Sequence, residues 1–196
     1  IVVDKNLKEL QKVTGSMQFV RPGRFRWEYD KPYEQSIIGD GSNQTKTGAQ
    51  TIPYLGTKDK GAPNFDAAAL KAMVAEVKAA GWPALIHCNG DAAIDIALDA
   101  IEAAYGANPA TGINRIEHCT MVRADQLARM KKLGVQPSYL MNHVYFYGAA
   151  YRDQLFGAER AGRMDPAGDC VKAGMPFTLH TDAPCRSEEH TSELQS

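Results

Sequence analysis

The chain has 196 residues, 44% of them hydrophobic and 23% charged, with a net charge of −1. That length supports one sizeable core, the composition excludes wholesale disorder, and the balanced charge leaves no basic footprint for nucleic acid. No apolar run approaches the roughly 20 residues needed to cross a bilayer, so no membrane span is expected.

Residues 1 to about 40 begin IVVDKNLKELQKV. This start carries a short helical stretch and lacks the basic region, apolar core and cleavage site of a signal peptide. It has no methionine, so the natural N-terminus is expected further upstream. In GSMQFVRPGRFRWEYDKP, Phe25, Trp27 and Tyr29 alternate with Arg24, Arg26 and Glu28, the period of a strand with one wet face. Pro22-Gly23 reads as a hairpin turn and YEQSII as a third short strand, giving a short antiparallel β segment.

From about residue 41 to 185 the pattern becomes alternating strands and helices. FDAAALKAMVAEVKAAGW predicts a helix capped by Asp66 and stopped at Gly81. PALIHCNG follows as a strand, DAAIDIALDAIEAAYG as a helix, INRIEHCT as a strand, RADQLARMKKLG as a helix and VQPSYLMNH as a strand. VYFYGAAYRDQLFGAERAGRMDP is expected to be a long loop, before a brief helix at GDCVKAG and a fourth strand at MPFTLHTDAP. Such βαβα alternation predicts a parallel sheet covered by helices. RSEEHTSELQS, at the end, has no place in the alternation and no apolar face.

In parallel α/β folds the active site gathers at the carboxyl ends of the strands. Here the four strands end in His87, in His118, near His143 and in His180-Thr181-Asp182. His87 and His118 lie about 31 residues apart, and His118 and Asp182 about 64. An eight-unit barrel of roughly 250 residues allots about 31 residues to each unit, so these intervals are one unit and two. Equivalent positions on a closed barrel converge on its axis, as a metal site requires. Two imidazoles and a carboxylate suit a divalent ion, with zinc the first choice. Such an ion brings the pKa of bound water to about 7, and Asp182 could both ligate it and take the water's proton. Cys88 and Cys119 follow the two histidines; a residue next in a strand points to the opposite face, so both are expected in the core and not on the ion. Four cysteines without a CxxC pair also argue against a disulfide framework.

LIHCNGDAAID, RIEHCT and FTLHTDAP resemble the fifth, sixth and eighth strand motifs of the metal-dependent amidohydrolases, in the branch of N-substituted formamide deformylase-like enzymes. DGSNQTKTGAQTIPYL resembles the stretch after that branch's fourth strand. The resemblance implies an α/β fold, here the C-terminal half of a (β/α)8 TIM barrel with strands about five to eight, hydrolysing non-peptide C–N bonds in a small amide-type substrate through one or two divalent metals. It implies His87, His118 and Asp182 as metal ligands, Asp182 as general base, and His143 near the substrate. His180 departs from the family pattern, and packing is its favoured role. Two other parts of the pattern are missing. No His-x-His motif occurs, and no lysine stands within a few residues before the Asp-Gly-Ser, where the chain reads Ser36-Ile37-Ile38-Gly39-Asp40. With about half the ligand set present, weak metal binding without turnover is expected.

VTGSMQFVRPGRFRWEYDKPYEQSIIGDG resembles the early strands of the outer-membrane lipoprotein carrier proteins, whose curved sheet holds acyl chains. RSEEHTSELQS resembles a translated sequencing-library adapter. The expected organisation is therefore a carrier-like β segment at 1–40, a partial amidohydrolase barrel at 41–185, and a tail foreign to both at 186–196.

Overall fold

The computed structural model describes residues 40–106 and 114–182 in full, and five strands by their backbone between residues 2 and 38. β1 (Val2–Val3) and β2 (Glu9–Gln11) pair antiparallel, so these parts of the start are strand where a helical stretch is expected from sequence. β3 (Gly15–Val20), β4 (Arg24–Tyr29) and β5 (Ser36–Ile38) form a second antiparallel sheet, with Met17 and Ile37 flanking Trp27 in register. The Pro22-Gly23 turn, Cys185 and the tail lie outside the described residues.

The remaining chain is an α/β unit. β6 (Leu85–Cys88), β7 (Arg115–His118), β8 (Gln136–Tyr139) and β9 (Thr178–Leu179) form a parallel sheet in sequence order. α1 (Ala67–Ala79) starts where expected, because the Asp66 carboxylate accepts the N–H of Ala69 at 2.8 Å. α2 (Asp91–Tyr105) buries Ile94, Ala97, Leu98 and Ile101, the i, i+3, i+4, i+7 face of an amphipathic helix. α3 (Ala124–Leu133) ends at Gly134, whose φ of 68° is the left-handed stop that glycine adopts without a Cβ clash. These faces pack with Ile86, Cys88, Ile116, Met130 and Val135 into one core on the helix side of the sheet.

The long loop expected after the third strand is a helix. α4 (Asn142–Ala150) runs into a π-type turn, Tyr151–Leu155, followed by α5 (Ala158–Ala161) and α6 (Ala167–Ala173). Tyr147, Tyr151 and Leu155 recur every four residues, and Tyr151 and Leu155 bury themselves with Phe156 against Tyr54 and Met121. Gly148 and the scattered polar residues hide that period in the sequence. His143 consequently lies in the first turn of α4 and not at the end of β8.

Candidate metal centre

Strand register decides which side chains can meet. Paired residues of a parallel sheet share a face, so His87, Glu117, Ser138 and Thr178 form one row, and Cys88, His118, Tyr139 and Leu179 the row on the other face. Simple alternation would therefore bury His118 among the helices with Cys88. Two left-handed residues prevent this: φ is 67° at His118 and 53° at Cys119. The break turns the His118 ring to the face of His87, with ring centroids 4.2 Å apart and edge to face. Cys119 enters the helix-side core instead. Burial pushes the thiols of Cys88 and Cys119 well above the ordinary range, so neither offers a thiolate.

His87 is held by its neighbours. Asn89 Nδ2 lies 3.0 Å from Gly41 O and 3.0 Å from His87 Nε2, while Asn89 Oδ1 accepts from Thr120 Oγ1 at 3.0 Å. A carbonyl can only accept, so the Asn89 amide is oriented and His87 Nε2 is the acceptor of a neutral ring. Burial lowers the His87 pKa to about 4, in agreement. The Thr120 hydroxyl has one proton, given to Asn89, so at 2.9 Å it accepts from His143 Nδ1–H. This fixes the tautomer of His143, which is buried and whose ring stands 6.3 Å from that of His118.

Asp40 anchors the floor of the site. Its carboxylate accepts from the backbone N–H of Ala49 and Gly90 at 2.8 Å and of Asn89 at 2.9 Å, at the N-terminus of α2. Burial pushes its pKa up to about 7, against the pull of those donors. Its Oδ1 is 3.8 Å from His87 Nε2.

His180 is where sequence reasoning falls short. Its N–H donates to Tyr139 O at 3.0 Å, extending the β8–β9 register by a residue. Its ring joins the row of Ser138, with Nδ1 2.8 Å from Ser138 Oγ and Nε2 3.0 Å from His118 Nδ1. Burial lowers its pKa. Asp182, left-handed at φ 60°, brings a carboxylate to the same place. One ligand atom from each of His118, His180 and Asp182 lies within 4.8 Å of the others. The structure thus brings His180 and Asp182 to His118, with His87 beside them and His143 beyond. The usable signal in the sequence was His180 standing two residues before Asp182, on the face of Thr178.

The profile of the Amidohydrolase family matches residues 34–195. That of the Outer membrane lipoprotein carrier protein LolA matches residues 1–46, so residues 34–46 fall in both. The outer-membrane lipoprotein carrier protein of Nitrosomonas europaea is 58% identical over 40 residues, covering 20% of this chain and 19% of that protein. The carrier protein of Nitrosospira multiformis is 60% identical over 40 residues, with the same shares. Among solved structures, a metal-dependent hydrolase from Pyrococcus furiosus matches with TM-score 0.66 and 24% identity, covering 88% of this chain and 35% of that one. One from Pyrococcus horikoshii matches with TM-score 0.64 and 27% identity, covering 84% and 32%. The chain therefore spans about a third of the length of these hydrolases and about a fifth of the carrier proteins.

Proposed function

This chain belongs to the Amidohydrolase family, and we propose that residues 41–185 are the carboxyl-terminal half of a (β/α)8 barrel whose metal centre hydrolyses non-peptide C–N bonds. The observation that carries this reading is the meeting of His118, His180 and Asp182 at the carboxyl ends of parallel strands, with donor atoms within 4.8 Å of one another. Two imidazoles, of which burial lowers the pKa of His180, and one carboxylate fit a borderline divalent ion, zinc first. An ion bound there supplies Lewis acidity to a carbonyl and to water.

The chain's own residues divide the work. His118 and Asp182 would hold the ion, with one of the two imidazoles that flank His118, His87 or His180, as the third donor. In the complete barrel Asp182 would also take the proton of the attacking water. His143, its tautomer set by Thr120, lines the side where a small amide-type substrate enters. Residues 1–40 read as a carrier-like β segment and residues 186–196 as a stretch foreign to both families. Three protein donors are fewer than the resemblance implies, so this chain alone binds one divalent ion and does not turn over amides.

Equilibrium dialysis with zinc, with a panel of N-acyl and N-formyl amides as substrates, tests the reading. One ion per chain is expected, lost in His118→Ala and in Asp182→Asn, with no hydrolysis above background. An intact fold that takes up no zinc overturns it.

A further inference from the structure

We infer that Arg160 is a positioning residue for the centre: through Gln50 and Asn43 it holds Asn89, the residue that in turn holds His87 Nε2. The inference rests on the metal-hydrolase reading, which makes the orientation of His87 matter. It starts from an arginine that spends its charge on neutral oxygens. Arg160 sits half-buried on α5, its guanidinium 4.9 Å from the centre of the Phe156 ring. Among the described residues no carboxylate forms an ion pair with it. It donates instead to Pro53 O and to Gln50 Oε1, each at 3.0 Å.

Donor and acceptor types give the chain that begins there one direction. A guanidinium can only donate, so Gln50 presents Oε1 to it and turns its amide nitrogen toward Asn43. Gln50 Nε2 donates to Asn43 Oδ1 at 2.8 Å, which leaves Asn43 Nδ2 to donate to the Asn89 carbonyl at 3.2 Å. A carbonyl can only accept, so both ends of the chain demand the same direction and both amides are oriented. Gln50, Asn43 and Asn89 are all buried, where an unmade hydrogen bond is costly.

The far end reaches the centre. Asn89 Nδ2 donates to His87 Nε2 at 3.0 Å, so the neutral ring carries its proton on Nδ1. The Asn89 carbonyl also accepts from Met121 N at 3.2 Å, and Asn43 Nδ2 is the side-chain donor that sets it against the 40–50 loop. A tie between that loop and α5 would need only some contact at Arg160. Holding His87 needs the direction of the chain as well, and that difference can be measured.

The test reads the His87 ring nitrogens and the Asn89 side-chain amide by NMR, in the metal-free full chain at neutral pH. Gln50→Glu keeps a partner for Arg160, now an ion pair, but puts an acceptor where Asn43 needs a donor. The expected result is loss of the single Nδ1–H tautomer of His87, its two ring-nitrogen shifts moving toward each other, with the Asn89 amide displaced. Arg160→Met keeps the packing on Phe156 and removes the outer donor; a smaller shift in the same direction is expected. Arg160→Lys, still a pure donor, should keep the wild-type pattern. So should Thr57→Val, which loosens the same loop by removing the bond from Thr57 Oγ1 to Tyr54 O. A wild-type pattern in folded Gln50→Glu overturns the inference, as does a shift in Thr57→Val or Arg160→Lys as large as in Arg160→Met. Should Gln50→Glu not fold, an unshifted His87 ring in Arg160→Met overturns it. Zinc uptake by the unaltered chain is a separate measurement, whose absence sinks the metal-hydrolase reading and leaves the NMR result standing.

Discussion

The carboxylate of Asp40 accepts the backbone N–H of Gly90 at 2.8 Å, joining residues 50 apart in sequence. The same carboxylate accepts from Asn89 and Ala49, so one side chain ties the 40–50 loop to the start of α2 directly behind His87. Asp40→Ala leaves three buried donors unpaired, each costing about 1–3 kcal/mol. A loss of ~3 kcal/mol or more in urea unfolding is expected, with loss of amide protection at Asn89 and Gly90.

Gly90 is bound to the same contact by space. A Cβ there would stand 1.9 Å from Ala49 O, which is backbone and itself accepts from Ala92 N at 3.0 Å. Gly90→Ala is expected to cost about 1–3 kcal/mol by overpacking. Gly148→Ala, where a Cβ meets nothing and the backbone is helical, is the control, expected to be neutral or stabilising.

The buried Asp165 carboxyl has no hydrogen-bond partner on either oxygen, and burial pushes its pKa up to about 8. The folded state then holds a proton that the unfolded chain releases near the ordinary carboxylate value of 3.8. Stability from this group is full below about pH 4 and is lost as pH rises through about 8, with a slope of roughly 1.4 kcal/mol per pH unit in between. Asp165→Asn removes the slope. The expected result is a variant whose advantage over wild type grows between pH 5 and pH 8, read as urea midpoints at each pH.

Two arginines on α3 and its cap offer a paired comparison. Arg123 reaches Asp91 at 3.0 Å, Asp95 at 3.1 Å and Asp125 at 2.9 Å, and Asp91 is buried. Arg129 reaches Asp99 and Glu102, both exposed. Arg123→Ala should cost about 1–3 kcal/mol, because Asp91 loses a charged partner inside the fold. Arg129→Ala should cost no more than about 1 kcal/mol and less in high salt.

Thr120 sets the proton of His143, and that is directly observable. Nitrogen NMR of the histidine rings should find His143 protonated at Nδ1. Thr120→Val removes the hydroxyl that accepts that proton, and a mixed Nδ1/Nε2 tautomer is expected, with the Asn89 side-chain amide shifted as well.

Much of this was legible beforehand. The helices at 67–79, 91–105 and 124–133 follow from apolar spacing and from Asp66 and Gly134, and the strand before each turn could be placed by its short apolar run. That His87, His118 and Asp182 share one end of the sheet followed from intervals of whole βα units. The rest depended on quantities that spacing does not carry. α4 escaped because its buried face is aromatic and interrupted by Gly148. His180 was assigned to packing because a family pattern has no histidine there, whereas its place beside His118 comes from the β8–β9 register and from Ser138 across it. Cys119 faces the core as strand alternation implies, but not through alternation alone. Alternation alone would have sent His118 to the core too, and only the backbone angles at 118 and 119 separate them.

Those angles also put a local cost on the cluster. A residue with a side chain costs about 1–2 kcal/mol in the left-handed region, and glycine costs almost nothing. At His118 and Cys119 burial of the side chain offsets part of that cost, whereas at half-buried Asp182 little packing does. On the metal-centre reading, the donor atoms of an imidazole and a carboxylate are what glycine at 118 and 182 would give up. Asp182→Gly is therefore expected to cost no stability while it removes the carboxylate from the cluster.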